Sequence, residues 1–269
     1  MEQPKKLMPF LKWAGGKRWL IEHLPGLLPR KWGAYFEPFL GGGAVYFSVK
    51  PEHAVLSDLN QELIETYDAL STRWRAVEDL LHQHQILHGS QYYYHMRSLI
   101  PSSKIERAAR FIYLNRACWN GLYRVNLKGE FNVPIGTKTH VLLEGDHFDE
   151  TASQLQSAHL VHCDFEMTIE LAERGDLLFV DPPYTVRHQL NGFVKYNENL
   201  FQWDDQVRLR DALYRAKKRG VKIIATNADH SSIRDLYRKD FAITATTRFS
   251  PIGGLDAKRG RFPELVIQS

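Results

Sequence analysis

Four consecutive apolar residues, Leu177-Leu178-Phe179-Val180, run directly into Asp181-Pro182-Pro183-Tyr184. A strand without polar alternation has to be covered on both faces, which is the position of a central strand in a parallel sheet flanked by helices. Neither proline can extend a hydrogen-bonded ladder, so the chain turns at Asp181. Ligands of open α/β sheets bind just beyond the carboxyl ends of the strands. At that place Asp181 offers one acceptor, the Pro182 carbonyl a second, and Tyr184 an aromatic face on which something planar can stack. An amino group on a flat ring fits the trio. An ordinary turn carrying a surface tyrosine is the competing explanation of these four residues alone.

The flanking sequence supplies the rest of a sheet. A short aromatic strand from Ala34 to Phe39 runs into Gly41-Gly42-Gly43, and the spacing of Ala44, Val45, Phe47 and Val49 predicts a helix after it. A second strand, Ala54 to Leu56, ends at Ser57-Asp58, with Asn60 placed to cap a helix carrying Leu63, Ile64, Tyr67 and Leu70. His159 to Cys163 is a further strand candidate, ending at Asp164-Phe165. Beyond Asp181 the pattern predicts a helix over Asp204 to Arg219, a strand over Val221 to Thr226, a short helix over Ser231 to Tyr237, and strands near Ile243 and Leu265. Strands alternating with helices imply a doubly wound, largely parallel sheet of the α/β class. Residues 72–153 break this rhythm. Amphipathic helical stretches, notably Ile105 to Ala117, precede a Gly- and Asn-punctuated run from Asn120 to Gly136 that reads as a β-hairpin or extended loop. The expectation is a catalytic domain formed by residues 1–71 and 154–269, with an inserted, mainly helical domain at 72–153.

Composition narrows the classes of function. A chain of 269 residues that is 43% hydrophobic can bury the core of a globular α/β domain. Its 35 Lys and Arg against 31 Asp and Glu, a net charge of +4, permit a polyanionic partner without demanding one. Cys118 and Cys163 are the only cysteines, and neither has a thiol or histidine at zinc-ligand spacing. Reduced, buried thiols, no metal and a cytoplasmic protein are expected. No signal-like apolar segment follows the basic N-terminus and no run is long enough to span a bilayer, so no membrane association is expected. His82, His84 and His88 invite a metal assignment, but a solvated helix face explains their spacing more simply. Nothing in the sequence calls for an obligate protein partner.

Several constellations carry chemistry. Phe39-Leu40-Gly41-Gly42-Gly43 lies between a strand and a helix, where glycines let a cofactor approach the backbone, although a simple tight turn uses the same residues. Asp58, at the end of the next strand, can accept hydrogen bonds from the two hydroxyls of a ribose. Asp164 can accept from an adenine amine while Phe165 stacks on its ring. Phe10-Leu11-Lys12-Trp13-Ala14-Gly15-Gly16-Lys17 superficially matches a phosphate loop, but Arg18 follows Lys17 and no glycine stands five residues before Gly16. The alternative is that Trp13 packs over a cofactor, Lys17 meets its carboxylate, and Lys12 reaches a base or phosphate. The run from Trp119 to Gly136 interleaves aromatics with the amides Asn120 and Asn132 and the base Arg124. These side chains read base edges in the major groove or wedge into a stack, yet polar surface hairpins of similar composition are common.

The ordered set of Phe-Leu-Lys-Trp-Ala-Gly-Gly-Lys at 10–17, Glu-Pro-Phe-Leu-Gly-Gly-Gly at 37–43, Ser-Asp-Leu-Asn at 57–60, Asn115-Arg116, the 120–136 segment and Asp-Pro-Pro-Tyr at 181–184 resembles the Dam-type, D12-class DNA adenine-N6 methyltransferases of the α group. The likeness covers essentially the whole chain. It implies a Rossmann-like S-adenosylmethionine-dependent methyltransferase sheet with an inserted target-recognition domain bearing a β-hairpin. It implies S-adenosylmethionine as methyl donor and double-stranded DNA as partner. Carried over by position, Trp13, Lys17, Phe39, Gly41, Asp58, Asp164, Phe165 and Asp181 form the cofactor-binding set. Asp181, Pro182, Pro183 and Tyr184 form the catalytic turn. Lys12, Asn120, Leu122, Arg124 and Pro134 are similar to the DNA-reading positions of members that methylate GATC, with Asn132 in the same segment and Trp119 placed to fill the space of a departed base. The chain departs from the pattern in having Trp where the Dam type has Tyr, in Thr137-Lys138-Thr139 following Gly136 without the expected aromatic, and in the 250–261 stretch. These departures bear on exact specificity more than on catalysis.

An adenine buried in a duplex has to be extruded before its N6 can react, at a cost of about a few kcal/mol. On the expected mechanism the base then stacks on Tyr184 while Asp181 and the Pro182 carbonyl accept from its amine, and Phe193 and Tyr196 cover it or simply pack. Alignment and electrostatics supply the rate. The rival functions are methylation of another exocyclic amine, in RNA or a protein amide, and a DNA-binding protein without turnover.

Overall fold

The computed structural model describes residues 7–126, 128–185, 201–250 and 260–269, with the side chains of 248–250 and 260–262 excepted. Phe193 and Tyr196 lie outside the described residues. Two compact units emerge, one formed by 1–18, 40–50 and 60–162, the other by 19–39, 51–59 and 163–269.

The strands are β1 (Tyr35–Glu37), β2 (Ala54–Asp58), β3 (Ala158–His162), β4 (Leu177–Val180), β5 (Lys222–Ala228), β6 (Ala242–Ser250) and β7 (Gly260–Gln268). They form a seven-stranded sheet of order β3-β2-β1-β4-β5-β7-β6. The protein is thus mixed α/β, as its alternating pattern implied. β1 pairs in parallel with β2 and with β4, and β4 pairs in parallel with β5 in the register Val180↔Ala225. The last two strands run the other way, β7 pairing antiparallel with both β5 and β6. Every residue of β4 is buried, which accounts for its lack of polar alternation.

In the second unit, helices α7 (Phe165–Leu171), α8 (Trp203–Arg219) and α9 (Ser231–Tyr237) contribute to the core that covers these strands. Leu178, Val180, Ile223 and Ala225 of the sheet meet Ile169, Leu209, Leu213 and Ile233 of the helices. α8 stops at Gly220, which adopts φ 91° and turns the chain toward β5. Polar ties between α7 and α8 are dense: Arg215 donates to Glu166 and Glu170, and Arg219 donates to Glu170. Asp176 fixes the start of β1 by accepting from the Ala34 amide at 2.9 Å while also accepting from Glu173 N–H.

The short helix α1 (Leu24–Leu27) belongs to the second unit, whereas the first is built on α2 (Ala44–Val49), α3 (Gln61–Leu87), α4 (Ser90–Ser98), α5 (Lys104–Ala117) and α6 (Phe148–Leu155). Asn60 caps α3 as its position predicted, accepting from Leu63 N–H at 3.0 Å. α3 is interrupted at Arg73, whose φ of −141° is not helical. Phe10 sits edge-on to Phe47, Tyr67 and Phe148 in this unit's core.

Two expectations need correction. His84 does not belong to a solvated face: it is buried and shares a hydrogen bond of 2.7 Å with the Tyr92 hydroxyl, while only His82 of the three is fully exposed. The i+4 step from His84 to His88 puts both against Tyr113 of α5, so helix packing rather than solvent explains the spacing. Of the two free cysteines, Cys118 is buried but Cys163 is only half-buried, at the end of an exposed strand.

Candidate active site

The carboxyl ends of the adjacent parallel strands β2, β1 and β4 bring a row of carboxylates into one unit. Asp58 ends β2, Glu37 ends β1 and Asp181 follows β4. The Thr226 hydroxyl of β5 donates to Asp181 Oδ1 at 2.7 Å, across the rung next to Val180↔Ala225. Tyr35 donates to Glu37 Oε2 at 2.6 Å in a fully buried pair. Ser57, beside Asp58, shares a 2.6 Å hydrogen bond with Thr168 of α7, which locks the end of β2 to that helix. Pro182 is buried, Pro183 and Tyr184 are half-buried, and the Thr185 hydroxyl donates to the Phe201 carbonyl at 2.7 Å. That bond ties the Asp181–Tyr184 turn to a residue sixteen positions beyond Thr185.

Asp164 has a second duty. It is the N-cap of α7, accepting from Glu166 N–H at 3.0 Å, and it also receives both Nη groups of Arg208 at 3.0 and 2.9 Å. The Arg208 guanidinium lies 4.3 Å from the centre of the Phe165 ring. Burial alone would lower the Arg208 pKa, but the hydrogen bonds it donates to Asp164 and Asp205, and their charges, outweigh that and raise it. Phe165 is stacked on Phe39 with ring centres 5.3 Å apart, and Phe201 meets both. Asp164, Phe165 and Phe39, separated by more than a hundred residues in sequence, are therefore one cluster, and α8 supplies the cation that sequence reasoning missed.

The N-terminal motif lies in the other unit. Trp13 is stacked between Tyr123 at 5.4 Å and Phe111 at 6.3 Å. Gly41 adopts φ 47°, and a Cβ there would stand 2.7 Å from the Trp13 ring. Glycine is required at this turn by the indole itself, a reason the sequence did not reveal. The Tyr67 hydroxyl donates to the Gly41 carbonyl at 3.1 Å. Lys17 is almost wholly buried and donates to the Gly15 carbonyl at 2.8 Å.

Asn115 of α5 acts on Lys12 as a neighbouring strand would. Its Oδ1 accepts from Lys12 N–H at 2.9 Å and its Nδ2 donates to Lys12 O at 2.8 Å. Arg116, fully buried, donates to the Phe10 carbonyl at 2.8 Å, to the Val141 carbonyl at 2.7 Å, and through both Nη groups to Asp146 at 2.5 and 2.6 Å. Lys12 thus reaches the 119–121 turn, where a Cβ on Gly121 would fall 2.4 Å from its Cδ. Burial, and next the charge of Lys138, depress the Lys12 ammonium below its ordinary pKa.

Among its described residues the 119–136 run forms no continuous two-stranded ladder. Isolated antiparallel bridges, Cys118↔Ile135 and Val125↔Phe131, pin it instead. Trp119 N–H donates to the Pro134 carbonyl at 3.0 Å and Asn132 N–H to the Arg124 carbonyl at 3.1 Å. The Arg124 Nε–H donates to Asn132 Oδ1 at 2.8 Å, joining two residues singled out separately from the sequence. Trp119, Asn120, Arg124 and Pro134 are exposed, while Leu122 and Asn132 are half-buried. Asn120 adopts φ 55°. The bridges at its ends and the Asn115 contacts hold this run, which the sequence left open between a β-hairpin and an extended loop.

The model of the D12 class of N6 adenine-specific DNA methyltransferases matches residues 13–250. The chain belongs to this family. Among curated D12-type relatives, it is 36% identical over 270 residues to the Type II methyltransferase M1.LlaDCHI of Lactococcus lactis subsp. cremoris, covering 97% of this chain and 95% of the relative. It is 36% identical to the DNA adenine methylase of Haemophilus influenzae, covering 87% and 85%. With the DNA adenine methylase of Escherichia coli K12 the identity is 30%, over 87% of this chain and 86% of the relative. A D12-class methyltransferase acts on DNA and draws its methyl group from S-adenosylmethionine. Among the described residues no helix is long and apolar enough to cross a membrane, and no group of three or more His, Cys, Asp or Glu could hold a metal ion. The sheet and the helix α8 also contain functional candidates the sequence pattern did not single out individually: Glu37 and Thr226 in strands and Arg208 on α8. Each is a polar residue at a buried or half-buried place beside a predicted carboxylate, and only strand register or helix packing identifies it.

Proposed function

We propose that the chain methylates N6 of an adenine flipped out of duplex DNA, within the sequence GATC, using S-adenosylmethionine. The observation that carries this reading is the catalytic turn: Asp181, held by the Thr226 hydroxyl at 2.7 Å, followed by Pro182, Pro183 and Tyr184 at the end of a fully buried parallel strand. The acceptor set of Asp58, Glu37 and Asp181 on three adjacent strands suits the hydroxyls and ammonium of the cofactor. Trp13, Lys17, Phe39, Gly41, Asp58, Asp164, Phe165 and Asp181 would hold it. When bound, S-adenosylmethionine supplies an electrophilic methyl group.

The lone pair of adenine N6 is delocalised into the ring, which makes the amine a poor nucleophile. Asp181 and the Pro182 carbonyl, by accepting its two N–H bonds, favour a pyramidal nitrogen, and Tyr184 holds the ring plane. Formation of the N–C bond would break the methyl's bond to sulfur and release the neutral thioether, and the surplus proton on N6 passes to water. Trp119, Asn120, Leu122, Arg124, Asn132 and Pro134, within a target-recognition region at 72–153, read or wedge the duplex together with Lys12 of the N-terminal motif. The Arg124–Asn132 bond occupies Nε and leaves the Nη edge for a guanine. Relatives bearing both the Type II and the adenine methylase names match this chain, so GATC preference is a matter for direct measurement.

The test is transfer of labelled methyl to a duplex with one GATC site, beside a scrambled duplex and an N6-premethylated one. Labelling confined to unmodified GATC supports the whole reading. Equal labelling of the scrambled duplex removes the specificity, and no labelling removes the reaction.

A further inference from the structure

We propose that Thr226 is a positioning residue for methyl transfer, its hydroxyl setting the orientation in which the Asp181 carboxylate meets the adenine amine; this rests on the adenine-N6 reading above. An ionised carboxylate only accepts, so in the 2.7 Å contact Thr226 Oγ1 is the donor and Asp181 Oδ1 the acceptor. Bonds of this type are short and about twice as strong as neutral ones, enough to select one carboxylate rotamer.

The donor itself cannot drift. Thr226 is fully buried in β5, between β4 and β7, and its branched Cβ restricts χ1. The next residue, Asn227, donates through Nδ2 to Gln206 Oε1 of α8 at 3.2 Å and accepts its neighbour's Ala228 N–H at Oδ1. Both Asn227 and Gln206 are as buried as Thr226. Two consecutive buried polar side chains in β5, met by the buried Gln206 of α8, are costly unless they hold something in place. Valine would fill the same volume in β5 without that cost, and the hydroxyl is what distinguishes threonine there. Because the reaction depends on alignment, loss of the hydroxyl should appear in turnover rather than in substrate affinity.

The experiment compares full-length wild type with Thr226→Val and Thr226→Ser in steady-state methyl transfer to the best duplex, with thermal melting of each. Thr226→Val should lower kcat by about ten- to a hundredfold with KM for duplex and cofactor within about threefold, and Thr226→Ser should stay within about threefold of wild type throughout. In an Asp181→Asn background, which already disturbs the pair, Thr226→Val should add little further loss. If the valine variant melts below the assay temperature, Thr226→Ala at reduced temperature supplies the same comparison with serine. Unchanged kcat in Thr226→Val, equal impairment in Thr226→Ser, a loss confined to KM, or full additivity with Asp181→Asn overturns the proposal while leaving the reaction intact. A wild type that transfers no methyl to any duplex overturns the adenine-N6 reading and this inference with it.

Discussion

The turn at Asp181, proposed to carry the chemistry, and the loop from Trp119 to Gly136, proposed to read the duplex, are held by opposite means. The turn inherits its position from the sheet: β4 is buried along its length, and Thr226 of the adjoining strand grips the first residue beyond it. The described residues of the loop are joined by isolated bridges and depend on ties from distant sequence, with Asn115 fastening Lys12 beside Gly121 and the buried Arg116–Asp146 pair fastening Phe10 and Val141 around its base. A sheet fixes a reactive group to within a rotamer, whereas a pinned loop can change its side chains without disturbing the scaffold. That difference suits chemistry in one place and sequence preference in the other.

Substitution can break this contrast. Removing the carboxylate in Asp181→Ala should lower methyl transfer by roughly a thousandfold, comparable to deleting a key polar group in other active sites, with little change in unfolding free energy. A residual rate within tenfold of wild type would show that the turn is not the centre of the chemistry. Asp146→Ala strands the Arg116 guanidinium in a nearly dry site and should cost about 3–5 kcal/mol in denaturant unfolding. Stability unchanged to within about 1 kcal/mol would mean that the loop's base does not rely on that pair.

A third expectation concerns pH. Burial depresses the His84 pKa from 6.5 to about 4, so the folded protein holds this imidazole neutral while the unfolded chain protonates it. The associated stability is fully present above pH 6.5 and is lost as pH falls toward 4, amounting to about 2–3 kcal/mol by pH 4.5. Melting curves of His84→Gln should lack that part of the pH dependence; identical profiles would contradict the buried environment. The smallest effect belongs to the loop. Arg124→Ala should reduce discrimination between cognate and altered duplexes by about 1–3 kcal/mol while kcat on the cognate duplex stays within about threefold. A large fall in kcat instead would erase the division between the two regions.

Much of the sheet was legible because its signals are local. Buried β4, the cap at Asn60 and the helix over Ser231 to Tyr237 follow from apolar runs, a short polar side chain before a helix, and spacing. The acidic strand ends were legible for the same reason. Asp164 was placed correctly at a strand end, but its clasp by Arg208 was not, because a helix face announces burial and says little about which charge it will deliver. The histidine cluster was misjudged because i+4 spacing is equally compatible with solvent and with Tyr113. The closeness of Gly41 to the Trp13 ring was not legible either, because it joins two motifs that are apart in sequence.

By itself, then, the order of residues determined the α/β class, the family and the identity of the turn that ends β4, since each depends on periodicity or on contiguous motifs. Only the tertiary structure decided that Thr226 holds Asp181, that Arg208 holds Asp164, and that Asn115 carries Lys12 to Gly121. Those pairings join residues separated by 44 to 103 positions, and their energies come from desolvation and hydrogen-bond geometry that exist only once the chain has folded.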